Sequence, residues 1–418
     1  MDLTALRPVA EKLFADVREL SFDGVGVTRE SYGPRESATA DLLRRFAEAE
    51  GLATETDRAG NLIFTLPDTP ADVPTVWCGS HIDSVPQGGN YDGLAGVVAG
   101  LLCLIEQARS GVRSPLPLRV PAFRGEESAW FGKAYVGSSA LLGKLDHDDL
   151  ELRQRDSGKT LGDSLQDVGA DMEAIRTGQT LFDPSLVRAF LELHIEQGPV
   201  MVARQLPVAF VSGIRGNIRH NGIQCIGASG HSGAVPRWLR RDAMFAVADL
   251  IMRLDEHWSD LLERGTDLVV TTGMVSTNAA EHATSRIPGQ VRFSFEVRSK
   301  SIDTLEAFYQ LMRAECKAIG RERQVRFEFD RRLITDPATM DPQLCQLLSK
   351  IGAERAYPFE VIASGAGHDA SMFANAGIPS GMIFVRNQHG SHNPDEAMDI
   401  DDFMCGVDVL DQAVREIR

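Results

Sequence analysis

Four short runs in this 418-residue chain carry side chains that bind metals or move protons, and each follows an apolar stretch. The first is GSHIDSVPQGGNYDG at 79–93. His81 comes directly after the expected strand 75–78, at the carboxyl edge where open α/β sheets place their sites. Asp83, two residues on, is close enough to hold the His81 ring from behind. Asp92 opens the next helical stretch, and the glycines around it allow the tight turns of a metal loop. The local alternative is a Gly/Asp-rich turn with Asp92 as a helix cap. The second run is RGEES at 124–128. Adjacent side chains on extended backbone point opposite ways, so one of Glu126 and Glu127 can ligate a metal while the other faces substrate as general base. The alternative is a capping pair at a helix start. The third and fourth runs are HIEQGP at 194–199 and HGSHNPDE at 389–396. A lone histidine is more often a satisfied polar residue than a ligand. Four strand ends that each deliver His, Asp or Glu say more: His81, His194 and His392 with Asp92 and Glu127 suit two borderline divalent ions bridged by Asp92.

Elements must bring these runs together. Short apolar runs at 75–78, 116–123, 190–193 and 381–385 alternate with helical patterns at 2–20, 34–50, 93–107 and 401–417. Such alternation predicts an α/β fold, a mostly parallel sheet with helices on both faces. The middle of the chain differs. Strands at 218–226, 268–275, 291–297 and 325–329, with helices at 242–262 and 304–319, follow the order of a split βαβ, ferredoxin-like α+β unit. Val291, Phe293, Phe295 and Val297 alternate with polar residues, as in a sheet covered on one face. The expected division is a domain of residues 1–213 and 330–418 interrupted by an inserted domain, 214–329.

Composition narrows the partners. The net charge is −16, from 43 Lys and Arg against 59 Asp and Glu. Nucleic acid and anionic membrane both need a basic face, so neither is expected as a partner. The first residues lack a basic segment followed by an apolar core, and the longest apolar stretch, 93–105, is too short for a bilayer. Six scattered cysteines, with no CxxC pair, point to a reducing, cytoplasmic compartment.

The runs GSHIDSVPQGGNYDG, RGEES, LELHIEQGP, SGAGHDA and HGSHNPDE, in this order from about residue 10 to the end, resemble the hydantoinase/carbamoylase amidases. That group includes N-carbamoyl-L-amino-acid hydrolases, β-ureidopropionases and allantoate amidohydrolases, within the dinuclear metallo-aminoacylases and exopeptidases. The resemblance implies hydrolysis of a linear C–N bond in a small substrate bearing a carboxylate, with two divalent metal ions per subunit, zinc or manganese. One ion would be held by His81, His194 and Asp92, the other by Asp92, Glu127 and His392. It makes Glu126 the general base and Asp83 the residue that orients His81. It makes the inserted domain a lid and a homodimer surface, whose His231 reaches substrate, often in the partner's site. Arg298 matches an arginine that binds the substrate carboxylate, and Gln197 and His368 match residues near substrate. The chain departs from the family pattern at Val235-Pro236-Arg237 after the lid histidine. It departs again at Ser285, followed by Arg286, where an asparagine is usual. Both departures bear on recognition of the substrate's polar end. Taken without the resemblance, His231 reads as a histidine bonding its own turn, Arg298 as a solvated strand residue, and Arg237, Arg240 and Arg241 as a solvated helix start.

Overall fold

A ten-stranded sheet carries the first three motif runs at its strand ends. The computed structural model describes residues 2–418. Its main strands are β1 (Ala53–Thr56), β2 (Leu62–Thr65), β3 (Thr75–Cys78), β4 (Leu118–Phe123), β5 (Val187–Ile195), β6 (Val208–Ile214) and β7 (Ser380–Val385). Their spatial order is β1-β2-β4-β3-β5-β7-β6. The central four, β4-β3-β5-β7, are parallel to one another. The flanks are not: β1 pairs β2, β2 pairs β4, and β6 pairs β7 antiparallel. The sheet is therefore parallel at its centre and antiparallel toward its edges, and only β1 and β2 are joined by a short turn.

Both faces are covered, and strand alternation shows how. Val76 and Cys78 of β3 and Leu191 and Leu193 of β5 point into a core shared with the helices α1 (Leu3–Ser21), α2 (Pro34–Ala49), α3 (Leu94–Ser110) and α4 (Ile400–Glu416). The intervening Trp77 and Phe190 point the other way. Phe190 stacks on Phe373 with centroids 4.1 Å apart, and Phe123 and Trp77 lie at 5.6 and 6.0 Å from the same ring. Aromatic pairs of this kind add about 0.5–1.5 kcal/mol each beyond the area they bury. Helix α3 is apolar on every side because it is buried on every side, from Leu94 to Ile105.

The chain divides into two compact units. One is formed by the chain up to Ser212 with Thr339–Arg418, the other by Gly213–Ala338. The second unit was expected to end at 329. Instead Leu333–Thr335 pairs with Gly216–Ile226 and carries the unit to Ala338. Its sheet runs Val269–Thr271, Gln290–Ser299, Gly216–Ile226, Arg326–Glu328, all antiparallel. Two helices, Ala243–Glu263 and Ile302–Arg323, contribute to its core, where Val247, Leu250, Leu305 and Phe308 join Ile218, Ile223, Phe293 and Phe295. The β-α-β-β-α-β order is that of the ferredoxin-like unit. Val291, Phe293, Phe295 and Val297 are buried while Arg292 is exposed and Ser294, Glu296 and Arg298 are half-buried, so one face is covered as the alternation requires.

Candidate metal centre

His81 follows β3 within the short extended piece Ser80–His81, which pairs with β4. That pairing sets the end of β3 beside the end of β4, where Glu126 and Glu127 follow. His194 is the penultimate residue of β5, and β5 pairs β3 directly. His392 comes from the segment after β7. Pairing among parallel strands thus brings residues more than three hundred positions apart to one edge of the sheet.

Asp92 lies at the centre of the cluster. Its Oδ1 is 3.4 Å from His81 Nε2 and 3.2 Å from His194 Nε2. Its Oδ2 is 3.4 Å from His392 Nε2, and that nitrogen is 3.3 Å from Glu127 Oε1. Two ligand triads result, His81–Asp92–His194 and Asp92–Glu127–His392, with the donor atoms of each within 4.8 Å of one another. Asp92 belongs to both, one oxygen to each. The helix-cap alternative fails: the cap position of α3 is Gly93, which makes no side-chain cap bond. Asp92 Oδ2 instead accepts from Gln197 Nε2 at 2.7 Å and Ser391 Oγ at 2.5 Å. Gly93 holds φ at 68°, and a Cβ there would run into the His81 imidazole, so this position demands glycine.

The imidazoles are aimed by contacts behind them. His81 Nδ1 faces Asp83, 3.3 Å from Oδ1 and 3.2 Å from the carbonyl. His194 Nδ1 faces the Ile195 carbonyl at 2.9 Å. Each Nδ1 therefore carries the donated hydrogen, which leaves the Nε2 lone pair for an ion. Asp83 also fixes the second motif. Its Oδ1 accepts from the Glu126 N–H and its Oδ2 from the Glu127 N–H, both at 3.0 Å, and Ser31 Oγ donates to Oδ2 at 2.6 Å. Charged acceptors of this kind are worth roughly 1.5–3 kcal/mol per bond. With the backbone pinned, the two glutamates part company: Glu127 faces His392, while Glu126 Oε2 sits 3.9 Å from His81 Nε2. No helix begins here; the next is Val136–Leu141, so the capping-pair alternative fails as well.

Electrostatics reflect a site built for cations. Burial works to raise the Asp92 carboxyl, but hydrogen bonds from His194, His392 and His81 outweigh it and hold the group well below its usual range. Bonds to Asp92 and Glu127 push His392 up to about 11. Burial works to lower His81 and His194, yet their carboxylate partners lift both above the ordinary imidazole value. Burial raises Glu126 well above the ordinary carboxyl value, against the pull of His81. The donor set of three imidazoles and two carboxylates, with the far nitrogens of His81 and His194 engaged behind them, fits two borderline divalent ions.

Gln197 and His368 join the same cluster. Gln197 bonds Asp92 from a left-handed turn with φ at 63°. His368 packs edge-on against His194, with centroids 4.4 Å apart, and Ser364 Oγ lies 2.9 Å from its Nε2. Burial and the His194 charge hold His368 well below the ordinary imidazole value, so it stays neutral. The three remaining residues lie in the Gly213–Ala338 unit. His231 is exposed, accepts from the Gly233 N–H at 3.2 Å, and pairs across two short strands with Arg286. The Ser285 carbonyl accepts from the Ser232 N–H at 2.7 Å, so Ser285 and Arg286 flank the His231 loop. Arg298 meets both oxygens of Glu296, at 3.0 and 2.9 Å. Arg240 is no solvated residue: it bonds the carbonyls of Ser232 and Val235 and ties down the same loop.

Several residues of the site went unseen in the sequence. Ser391 bridges Asp92 and Glu396, and Glu396 accepts from the Tyr91 N–H at 2.8 Å. Both sit inside the HGSHNPDE run, where position alone marked them. Glu192 and Asp369 are wholly buried near the histidines; Glu192 accepts from Ser80 Oγ and the Ala370 N–H, and Asp369 from Ser138 Oγ. Nothing in an apolar strand such as β5 signals that Glu192 has partners.

Comparison with known proteins agrees with this geometry. Residues 77–416 match the peptidase family M20/M25/M40. The chain is 35% identical to an N-carbamoyl-L-amino acid amidohydrolase of Geobacillus stearothermophilus, over 97% of this chain and 98% of the relative. It is 30% identical to the allantoate amidohydrolase of Escherichia coli, over 92% and 91%. A hydantoinase/carbamoylase family amidase from Burkholderia multivorans has the same fold with a TM-score of 0.86 at 27% identity, over 97% of each chain. The chain belongs to the peptidase family M20/M25/M40 and, within it, to the hydantoinase/carbamoylase amidohydrolases, hydrolases of non-peptide C–N bonds.

Proposed function

We propose that this chain hydrolyses the carbamoyl C–N bond of an N-carbamoyl-L-amino acid, giving the amino acid, ammonia and carbon dioxide. The observation that carries the reading is the sharing of Asp92 by two ligand triads with Glu126 beside them. His81, Asp92 and His194 hold one divalent cation, and Asp92, Glu127 and His392 the other, with zinc or manganese as the metals. Bound there, such cations acidify a water and polarise the scissile carbonyl.

The chain's own residues do the rest. Glu126, held well above the ordinary carboxyl value by burial, takes a proton from the attacking water and hands it to the leaving nitrogen. Asp83 holds Glu126 and His81 in register through the bonds described above. Gln197 and Ser391 keep the Asp92 carboxylate oriented, and neutral His368 packs beside His194 as a wall of the substrate site. In this reading His231 donates to the developing oxyanion, Arg298 exchanges Glu296 for the substrate carboxylate, and Ser285 with Arg286 meets the polar end. The Gly213–Ala338 unit acts as lid and homodimer surface. Its Trp238, Leu239, Phe245 and Met252 are large apolar side chains left exposed, as a homodimer surface would have them. The six free thiols suit a reducing cytoplasm. Among the described residues no helix is long and apolar enough to cross a membrane.

A second reading is hydrolysis of allantoate on the same site, which the 30% identity to an allantoate amidohydrolase favours. Ammonia release from N-carbamoyl-L-amino acids and allantoate, with free-amine release from acyl amino acids and dipeptides read in parallel, after loading with Zn²⁺ or Mn²⁺, separates the readings. Turnover of carbamoyl amino acids is expected; turnover of allantoate alone overturns the first reading, and turnover of acyl amino acids or peptides alone overturns both.

A further inference from the structure

A wholly buried arginine lies behind the metal loop. Arg29 belongs to the segment 27–31, which runs beside residues 82–88. Val27 and Gly88 exchange backbone bonds at 2.9 and 2.8 Å, and Arg29 N–H donates to Ser84 Oγ at 2.9 Å. The guanidinium is inaccessible to solvent. Its Nε donates to the Ile82 carbonyl at 2.6 Å and its Nη1 to Asn90 Oδ1 at 3.4 Å. Ile82 and Asn90 stand near the two ends of the loop that carries His81 and Asp92. The remaining nitrogen, Nη2, is buried without a hydrogen-bond partner.

An orphaned buried donor costs about 1–3 kcal/mol, and an uncompensated buried charge costs more. An apolar side chain of similar size would avoid both, so the charge itself must have a use. Its surroundings supply one. Burial pulls the Arg29 pKa down to about 10, opposed by Asp83, Glu396, Asp92 and Glu127, so the group stays charged at neutral pH. The imidazoles must give up their protons when cations bind; Arg29 keeps its charge. Its fixed charge faces the carboxylates of Asp83, Glu396, Asp92 and Glu127, the same groups that divalent cations would neutralise.

We propose that Arg29 is a built-in cation that steadies the carboxylate cluster while the site is metal-free and, by repulsion, limits how tightly divalent cations bind. The inference rests on the two-cation reading of the site. It separates two effects that a mere filler would not: removing the charge harms the metal-free protein more than the loaded one, and it tightens metal binding.

The experiment compares Arg29→Gln, which removes the charge, with Arg29→Lys, which keeps it but loses the fork. Thermal unfolding is followed with and without Mn²⁺, and Mn²⁺ affinity is measured by competition with a chelating dye. Arg29→Gln is expected to enlarge the Mn²⁺-induced rise in Tm and to bind Mn²⁺ roughly tenfold tighter or more, as loss of a nearby like charge requires. Arg29→Lys is expected to stay near wild type in both. Equal Tm losses with and without Mn²⁺, at unchanged affinity, overturn the proposal. If Arg29→Gln folds only with Mn²⁺ present, the proposal stands. If it folds in neither state, Arg29→Lys decides: a wild-type Mn²⁺ response supports the proposal, and an enlarged one overturns it. A wild-type chain that takes up neither Mn²⁺ nor Zn²⁺ removes the two-cation reading and this inference together.

Discussion

The ligand cluster of the sheet-bearing unit and the His231 loop of the inserted unit are built in opposite ways. Asp92 is 3% exposed and His194 1%, and each is gripped by neighbours that are themselves gripped. Asp83 alone joins His81, Ser31 and the backbone of both glutamates. In the inserted unit, His231, Ser285 and Arg286 are exposed, and Arg298 is occupied by a glutamate on its own strand. One region is organised before any ligand arrives. The other is satisfied locally and, in the proposed function, exchanges those partners to meet a substrate. The difference teaches that the ligand cluster is preorganised while the loop proposed for recognition is not.

That contrast can be broken by substitution, beginning where the effect is largest. Asp92→Asn should abolish turnover and both bound metals, because its two oxygens serve different triads; retention of either ion by elemental analysis breaks the shared-ligand arrangement. Glu126→Gln should keep the metals and lower kcat by roughly 10²–10⁴-fold. Near-normal turnover removes Glu126 from proton transfer. Asp83→Asn should weaken metal affinity by roughly 10–100-fold, the usual result of removing a ligand's orienting partner. Arg298→Lys should raise KM for carboxylate substrates with little change in kcat or metal content, since its bonds to Glu296 involve no proposed metal ligand. A fall in metal content would mean that the two regions are not separable in the way described.

How much of this could be read from residue order alone differs in the same way. The strand-end histidines and RGEES were legible because parallel sheets buried on both faces leave apolar runs that stop abruptly at the site. β1 was not, because Ala53–Thr56 is a short edge strand with exposed Glu55 and Thr56. The end of the inserted unit was missed because Leu333–Thr335 has too few residues to show alternation. Glu192 stayed hidden because a buried acid inside an apolar strand has no pattern, and Asp369 because its partner Ser138 lies 231 positions away; only partners reveal them. Arg29 was hidden for the same reason, since its bonds run to residues more than fifty positions away.

Proton release offers a smaller, sharper check. The three ligand imidazoles are held above their ordinary values, His392 up to about 11, so below those values each cation must displace protons to bind. Metal affinity should therefore rise with pH between 6 and 8. A flat profile in chelator competition would show that the imidazoles are not ligands.

The most direct test is the metal content of the purified chain after equilibrium dialysis against Zn²⁺ or Mn²⁺. Two equivalents per chain are expected for wild type, and His392→Ala should retain one at most of these two. A wild-type chain holding a single equivalent or none, at saturating metal and neutral pH, contradicts the account.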